Sequence, residues 1–152
     1  MKRLVFVLAA AFAMPALATP PVALTAAEVP ALLAPPAKGV RVIALWALDC
    51  AYCEANLAAL ATFRAAHPDV DLIVVATDSV SQAAALDARL KAAKLDALRT
   101  RAYADATPER LNFLIDPAWG GETPRTMIIR ADGTRRTASG MLDAAHIAAL
   151  VQ

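Results

Sequence analysis

Cysteine and histidine are scarce in this chain: 152 residues carry two of each. A tetrahedral zinc site takes four ligands, mostly sulfur or imidazole at local spacing, and His67 and His146 form no local pair. Neither a resident metal nor a cofactor is expected. An excess of charge of one sign is missing too, since 15 basic against 14 acidic side chains leave a formal net charge of +1. Such a balance draws neither nucleic acid nor a membrane surface. The apolar run from Leu4 to Ala13 is well short of the ~20 residues a spanning helix needs, and no second candidate follows it. No internal repeat is present. Aromatic residues make up only 5% of the chain while alanine abounds, which suggests closely packed helices and no exposed apolar face.

What stands at the N-terminus is Lys2-Arg3, the apolar run, and Ala16-Leu17-Ala18, the three-part pattern of a secretory signal peptide. The expectation is cleavage after residues 1–18, leaving residues 19–152, from Thr19 onward, as one domain. No cysteine follows the cleavage site to carry a lipid, so a soluble periplasmic protein without a stable membrane anchor is expected. Removing Lys2 and Arg3 leaves it slightly acidic.

The two cysteines sit together in Trp46-Ala47-Leu48-Asp49-Cys50-Ala51-Tyr52-Cys53. Before them Val40 to Ala47 is almost entirely apolar and rich in β-branched residues, as a strand buried on both faces reads. After them Cys53, Leu57, Leu60 and Phe63 share one side of a helix that ends near His67-Pro68. Cys50 thus stands where a strand passes into a helix N-terminus, whose free N–H groups favour a thiolate. One turn on, Cys53 can resolve a mixed disulfide formed by Cys50. An inert structural disulfide and half of a metal site are the alternatives.

The remaining elements follow in order. Thr25 and Glu28 form a possible capping box for a helix from Ala26 to Leu33, although a helix starting at Pro30 is equally compatible. Val70 to Ala76 reads as a second buried strand, parallel to the first. Thr77 to Ser81 offers caps for a helix reaching Lys94, with Leu86, Leu90 and Ala93 inward. Arg101 to Ala104 reads as a short edge strand. Thr107-Pro108-Glu109 reads as cap and first turn of a helix carrying Leu111, Leu114 and Ile115. Strands Arg125 to Arg130 and Thr134 to Ser139 flank an Asp132-Gly133 hairpin turn, and Asp143 caps a last helix with Ile147 and Leu150 inward.

Strand, Trp-Ala-x-x-Cys-x-x-Cys, helix resembles the thioredoxin superfamily, and the longer layout resembles its exported TlpA-type thiol:disulfide oxidoreductases. The resemblance implies an α/β, three-layer fold with a central mixed β-sheet flanked by helices. It implies exchange of dithiol and disulfide with protein thiols or disulfides, with Cys50 as nucleophile and Cys53 as resolving thiol. Thr123-Pro124 matches the superfamily's cis-proline, which would let Thr123 pair its backbone with an extended substrate segment. A pair exported to an oxidising compartment rests as a disulfide unless electrons reach it, so an electron donor or acceptor in the membrane is implied. A monomer is expected. An oxidant or isomerase of the same fold, and a binding module with a structural disulfide, are the rival readings.

The chain departs from the family pattern beside the cysteines and in the strand before them. Asp49 stands where relatives place a second Trp, and Ala44 where thioredoxin has a buried acid. As a helix N-cap and a neighbouring negative charge, Asp49 is expected to raise the Cys50 pKa relative to such relatives. At ~6 Å and an effective dielectric of ~40 the charge amounts to about 1.4 kcal/mol, or roughly one pKa unit. A comparatively reducing pair follows. Trp119 is expected either to line the substrate groove or to pack beneath the preceding helix. Arg125, Arg130, Arg135 and Arg136 either steer acidic partners or keep the hairpin soluble.

Overall fold

The computed structural model describes residues 20–105 and 107–152, and the proposed signal peptide lies outside them. Strands β1 (Val22–Leu24), β2 (Val40–Trp46), β3 (Val70–Ser79), β4 (Thr100–Tyr103), β5 (Arg125–Arg130) and β6 (Arg135–Ser139) form one sheet. Their order across it is β1-β4-β3-β2-β5-β6. The first four strands pair in parallel, and β2–β5 and β5–β6 pair antiparallel. Helices α1 (Val29–Leu32), α2 (Cys53–Ala66), α3 (Ala83–Ala92), α4 (Glu109–Ile115) and α5 (Ala144–Val151) cover the faces.

Strand β2 organises the interior because its side chains alternate between two apolar layers. Val40, Val42, Ala44 and Trp46 face a core with Leu57 and Leu60 of α2, Leu86 and Leu90 of α3, and Ile147 of α5. Ile43 and Leu45 face the other, with Leu32 of α1, Leu111 and Ile115 of α4, and Met127 and Ile129 of β5. The three expected layers are there. Gly39 opens β2 at φ +67°, and a Cβ there would meet the Asp69 carbonyl oxygen at 2.2 Å, so only glycine fits.

Several boundaries differ from the sequence reading. Strand β4 lies inside the sheet, between β1 and β3; the edge is β1, three residues in a Pro-rich stretch too short to show a period. The two readings around Pro30 merge. Thr25 and Glu28 do make the capping box, over one 3₁₀ turn (Ala26–Glu28), and Pro30 then sits in the first turn of α1, where a missing N–H costs little. Helix α4 begins at Glu109 after an N-cap at Pro108, so Thr107 does not cap it, and Leu114 points outward.

Three of the hairpin arginines reach carbonyls at helix ends. Arg130 and Arg136 donate to the Leu150 and Ala149 carbonyls at the end of α5, and Arg135 donates to Leu33 just past α1. Cations there satisfy carbonyls that have no helical partner and complement the helix dipole.

Candidate functional site

The buried strand β2 delivers its C-terminal end to a six-residue loop, residues 47–52, and α2 follows from Cys53. A turn closed by the Cys50 N–H on the Ala47 carbonyl, at 3.3 Å, occupies the first part of that loop. Cys50 and Cys53 are joined in a disulfide with Cα atoms 5.5 Å apart. Cys50 lines a cleft of about 660 Å³, whereas Cys53, only 1% exposed, lies in the core beneath it.

Asp49 is not the helix cap. The turn at 47–50 sets it three residues short of the Tyr52 N-cap, and that cap has no side-chain hydrogen bond, so the N–H groups of the first turn stay unengaged by a carboxylate. Asp49 is exposed and lines the cleft beside Cys50. Its carboxylate competes for none of the N–H groups in the first turn of α2.

The loop is held from behind by groups that sequence reasoning did not single out for this purpose. Asp78, at the end of β3, accepts the Leu48 N–H at 2.9 Å, and Thr77 donates to the Trp46 carbonyl at 3.3 Å. Arg89 of α3 donates to the Leu48 carbonyl at 2.6 Å, lies 3.5 Å from the Cys50 carbonyl oxygen, and pairs with Glu54 in the first turn of α2. A lone arginine in an alanine-rich helix carries no sequence signal of such reach. One turn into α2, buried Asn56 donates to Thr126 of β5 at 3.3 Å and accepts the Leu142 N–H at 3.0 Å. No carboxylate is buried among the described residues, and Ala44 of β2 is flanked on the sheet by Val74 and Thr126.

The facing wall is the segment before β5. The Thr123-Pro124 peptide is cis, and Thr123 lines the cleft opposite the cysteine loop. Among the described residues neither the N–H nor the C=O of Thr123 pairs with other backbone. The Pro124 carbonyl accepts the Gly140 N–H at 2.8 Å. Gly121 has φ +95°, and a Cβ there would press on the Asn112 amide. Arg125 is bound to Asp116 at 2.6 Å and approaches Glu122 at 3.8 Å. Glu122 is held below the usual carboxylate range, chiefly by the Ser139 hydroxyl that donates to it at 2.6 Å.

Trp119 belongs to this wall only indirectly. It is buried against the α4 core, absent from the cleft lining, and its indole N–H donates to the Glu122 carbonyl at 2.8 Å. The packing alternative is the one observed. The charged side chains lining the cleft are Asp49, Asp78 and Glu122, all acidic. His67 stacks on Phe63 and His146 pairs with Asp143 at the start of α5, both exposed; no cluster of metal-ligating side chains occurs among the described residues.

No family profile and no curated protein matches this chain. Solved structures do. A secreted Mycobacterium tuberculosis disulfide oxidoreductase homologous to E. coli DsbE aligns at TM-score 0.54 and 22% identity, over 74% of this chain and 82% of that one. A thioredoxin-related protein from Neisseria meningitidis serogroup B aligns at TM-score 0.58 and 21% identity, over 75% and 83%. StoA from Bacillus subtilis aligns at TM-score 0.57 and 19% identity, over 78% and 86%. The fold is thioredoxin-like.

Proposed function

We propose that a chain with this thioredoxin-like fold and a disulfide in an open cleft is a thiol:disulfide oxidoreductase acting on partner proteins. The observation that carries the reading is the unequal placement of the two sulfurs: Cys50 lines the cleft and Cys53 is enclosed behind it. A partner can reach only the first. Of the rival readings, a structural disulfide has no need of a cleft beside one of its sulfurs, and half of a metal site needs further ligands, of which no cluster occurs among the described residues.

In the reducing direction, the Cys50 thiolate attacks one sulfur of a partner disulfide; a Cys50–partner bond forms and the other partner sulfur leaves as a thiolate. Cys53, deprotonated, then attacks the Cys50 sulfur, closing the Cys50–Cys53 disulfide and releasing the second partner thiolate. Two electrons pass to the partner, and the released thiolates take up the two protons. A dithiol donor reverses the same steps to reset the pair. With no buried acid behind it, Cys53 gives its proton to water or to the departing thiolate. The unpaired N–H and C=O of Thr123 supply an edge to which an extended partner segment can hydrogen-bond while its sulfur faces Cys50.

Operation as a reductant is supported by the acidic lining, Asp49, Asp78 and Glu122, which disfavours a thiolate and so stabilises the disulfide relative to the dithiol. Export is supported by residues 1–18, and among the described residues no helix is long and apolar enough to cross a membrane. A donor of reducing equivalents presented from the membrane fits that location. The protein works as a monomer in this reading.

Reduction of a protein disulfide by the purified chain, with a small dithiol as donor, tests the activity. Cys50→Ser abolishes it, and Cys53→Ser accumulates mixed disulfides on non-reducing gels. Adducts formed by Cys50→Ser instead would reverse the assignment, and an inactive wild type would reject the exchange reading.

A further inference from the structure

Arg89 is a positively charged side chain that touches the cysteine loop from outside the cleft. From α3 its guanidinium reaches three points at once: the Leu48 carbonyl, the neighbourhood of the Cys50 carbonyl, and the Glu54 carboxylate. The remaining ionisable groups around Cys50 are Asp49 on its own loop, Tyr52 between the cysteines, Glu54 on α2, Asp78 at the end of β3, and Glu122 on the facing wall. Four of these are carboxylates. Among the described residues no second lysine or arginine donates a hydrogen bond to residues 47–52.

Resting on the exchange reaction above, we propose that Arg89 is a positioning residue that sets the reactivity of Cys50. In the disulfide the Cys50 sulfur is neutral, and on reduction it gains a charge. A guanidinium close behind the loop therefore stabilises the reduced, ionised form and leaves the disulfide nearly unaffected. It also binds the Leu48 carbonyl and approaches that of Cys50, the negative ends of two loop peptide dipoles. Without it the charged groups around Cys50 would all be acidic, which favours the thiol over the thiolate. Glu54 moderates the effect by neutralising part of the same guanidinium.

Opposite effects from the two partners of one ion pair follow from this arrangement. A unit charge at roughly 7–8 Å through an effective dielectric of ~40 moves a pKa by about 0.8 unit. In a Cys53→Ser background, thiolate absorbance followed through a pH titration should show Arg89→Ala raising the Cys50 pKa by about 0.5–1 unit. Arg89→Lys should recover at least half of that shift, and Glu54→Gln should lower the pKa by a few tenths. Loosening of the α2–α3 contact would move Arg89→Ala and Glu54→Gln in the same direction, because each breaks the same pair. Shifts of like sign, or no shift in Arg89→Ala, would overturn the proposal. With both cysteines present, equilibration against glutathione should show Arg89→Ala favouring the disulfide by several-fold, and an unchanged constant would count against it. The titration needs no protein partner. An inactive wild type would thus reject the exchange reading, whereas an active wild type with an unmoved Cys50 pKa would reject the role of Arg89 alone.

Discussion

Replacing Asn56 by leucine should uncouple the active-site helix from the loop behind the facing wall. Asn56 is 1% exposed, and its amide both donates to Thr126 and accepts the Leu142 N–H. Leucine matches its size but offers neither bond. The Leu142 amide would be left as a buried donor without a partner, which costs about 1–3 kcal/mol, and the lost Thr126 bond adds about 0.5–1.5 kcal/mol. Some gain from the apolar side chain offsets this, so a net loss of about 2 kcal/mol is expected. For a domain of this size that corresponds to a fall in Tm of roughly 4–8 °C. Chemical denaturation of the oxidised protein should show a lower midpoint with an unchanged slope. Because Gly140, two residues before Leu142, donates to the Pro124 carbonyl, disulfide exchange should slow as well. A variant as stable as the wild type would mean that the Leu142 amide finds another partner, and the coupling argued here would be void.

Asp49→Asn should lower the Cys50 pKa, by up to about one unit at low ionic strength and less in salt, because Asp49 is exposed and its charge is screened by ions; titration in the Cys53→Ser background reads it, and an unmoved or raised pKa would refute it. Glu28 titrates at about 2, held down first by the Thr25 N–H and hydroxyl and then by Arg101. Its folded pKa is below the ordinary 4.5, so its contribution is full above that value and is lost as pH falls toward about 2. Glu28→Gln should flatten the pH dependence of stability in that window, measured by denaturation at a series of acid pH values. N-terminal sequencing of the exported protein should begin at Thr19, and recovery of the full-length chain would refute cleavage there.

The central strands, α2 and the hairpin were legible in the sequence because each repeats one local rule over many residues: β2 and β3 are uninterrupted β-branched runs, and Asp132-Gly133 is a turn with few alternatives. The interior place of β4 was not legible, since it depends on β1, a strand whose three residues have nothing periodic about them. The cysteines and Thr123-Pro124 could be found because their chemistry is tied to residue type and spacing. Arg89, Asp78 and Asn56 could not, because their partners lie 41, 30 and 86 residues away and are main-chain atoms, which any residue supplies. Asp49 was placed correctly beside the sulfur and wrongly on the helix, because the turn at Ala47–Cys50 inserts residues that no local pattern announces.

The two walls of the cleft are anchored to opposite halves of the sheet: the cysteine loop to β3 and α3, the Thr123 segment to β5, β6 and α4. Among the described residues no hydrogen bond runs across the opening from one lining group to the other. No latch closes the mouth among the described residues. Docking and departure of a partner therefore require no internal bond to break, so encounter should be ungated, and turnover should follow the thiolate fraction of the attacking sulfur as pH varies. In the exchange reading, discrimination among clients then falls to how fast each sulfur reacts, how its charge meets the acidic lining, and how well its flanking segment pairs with Thr123.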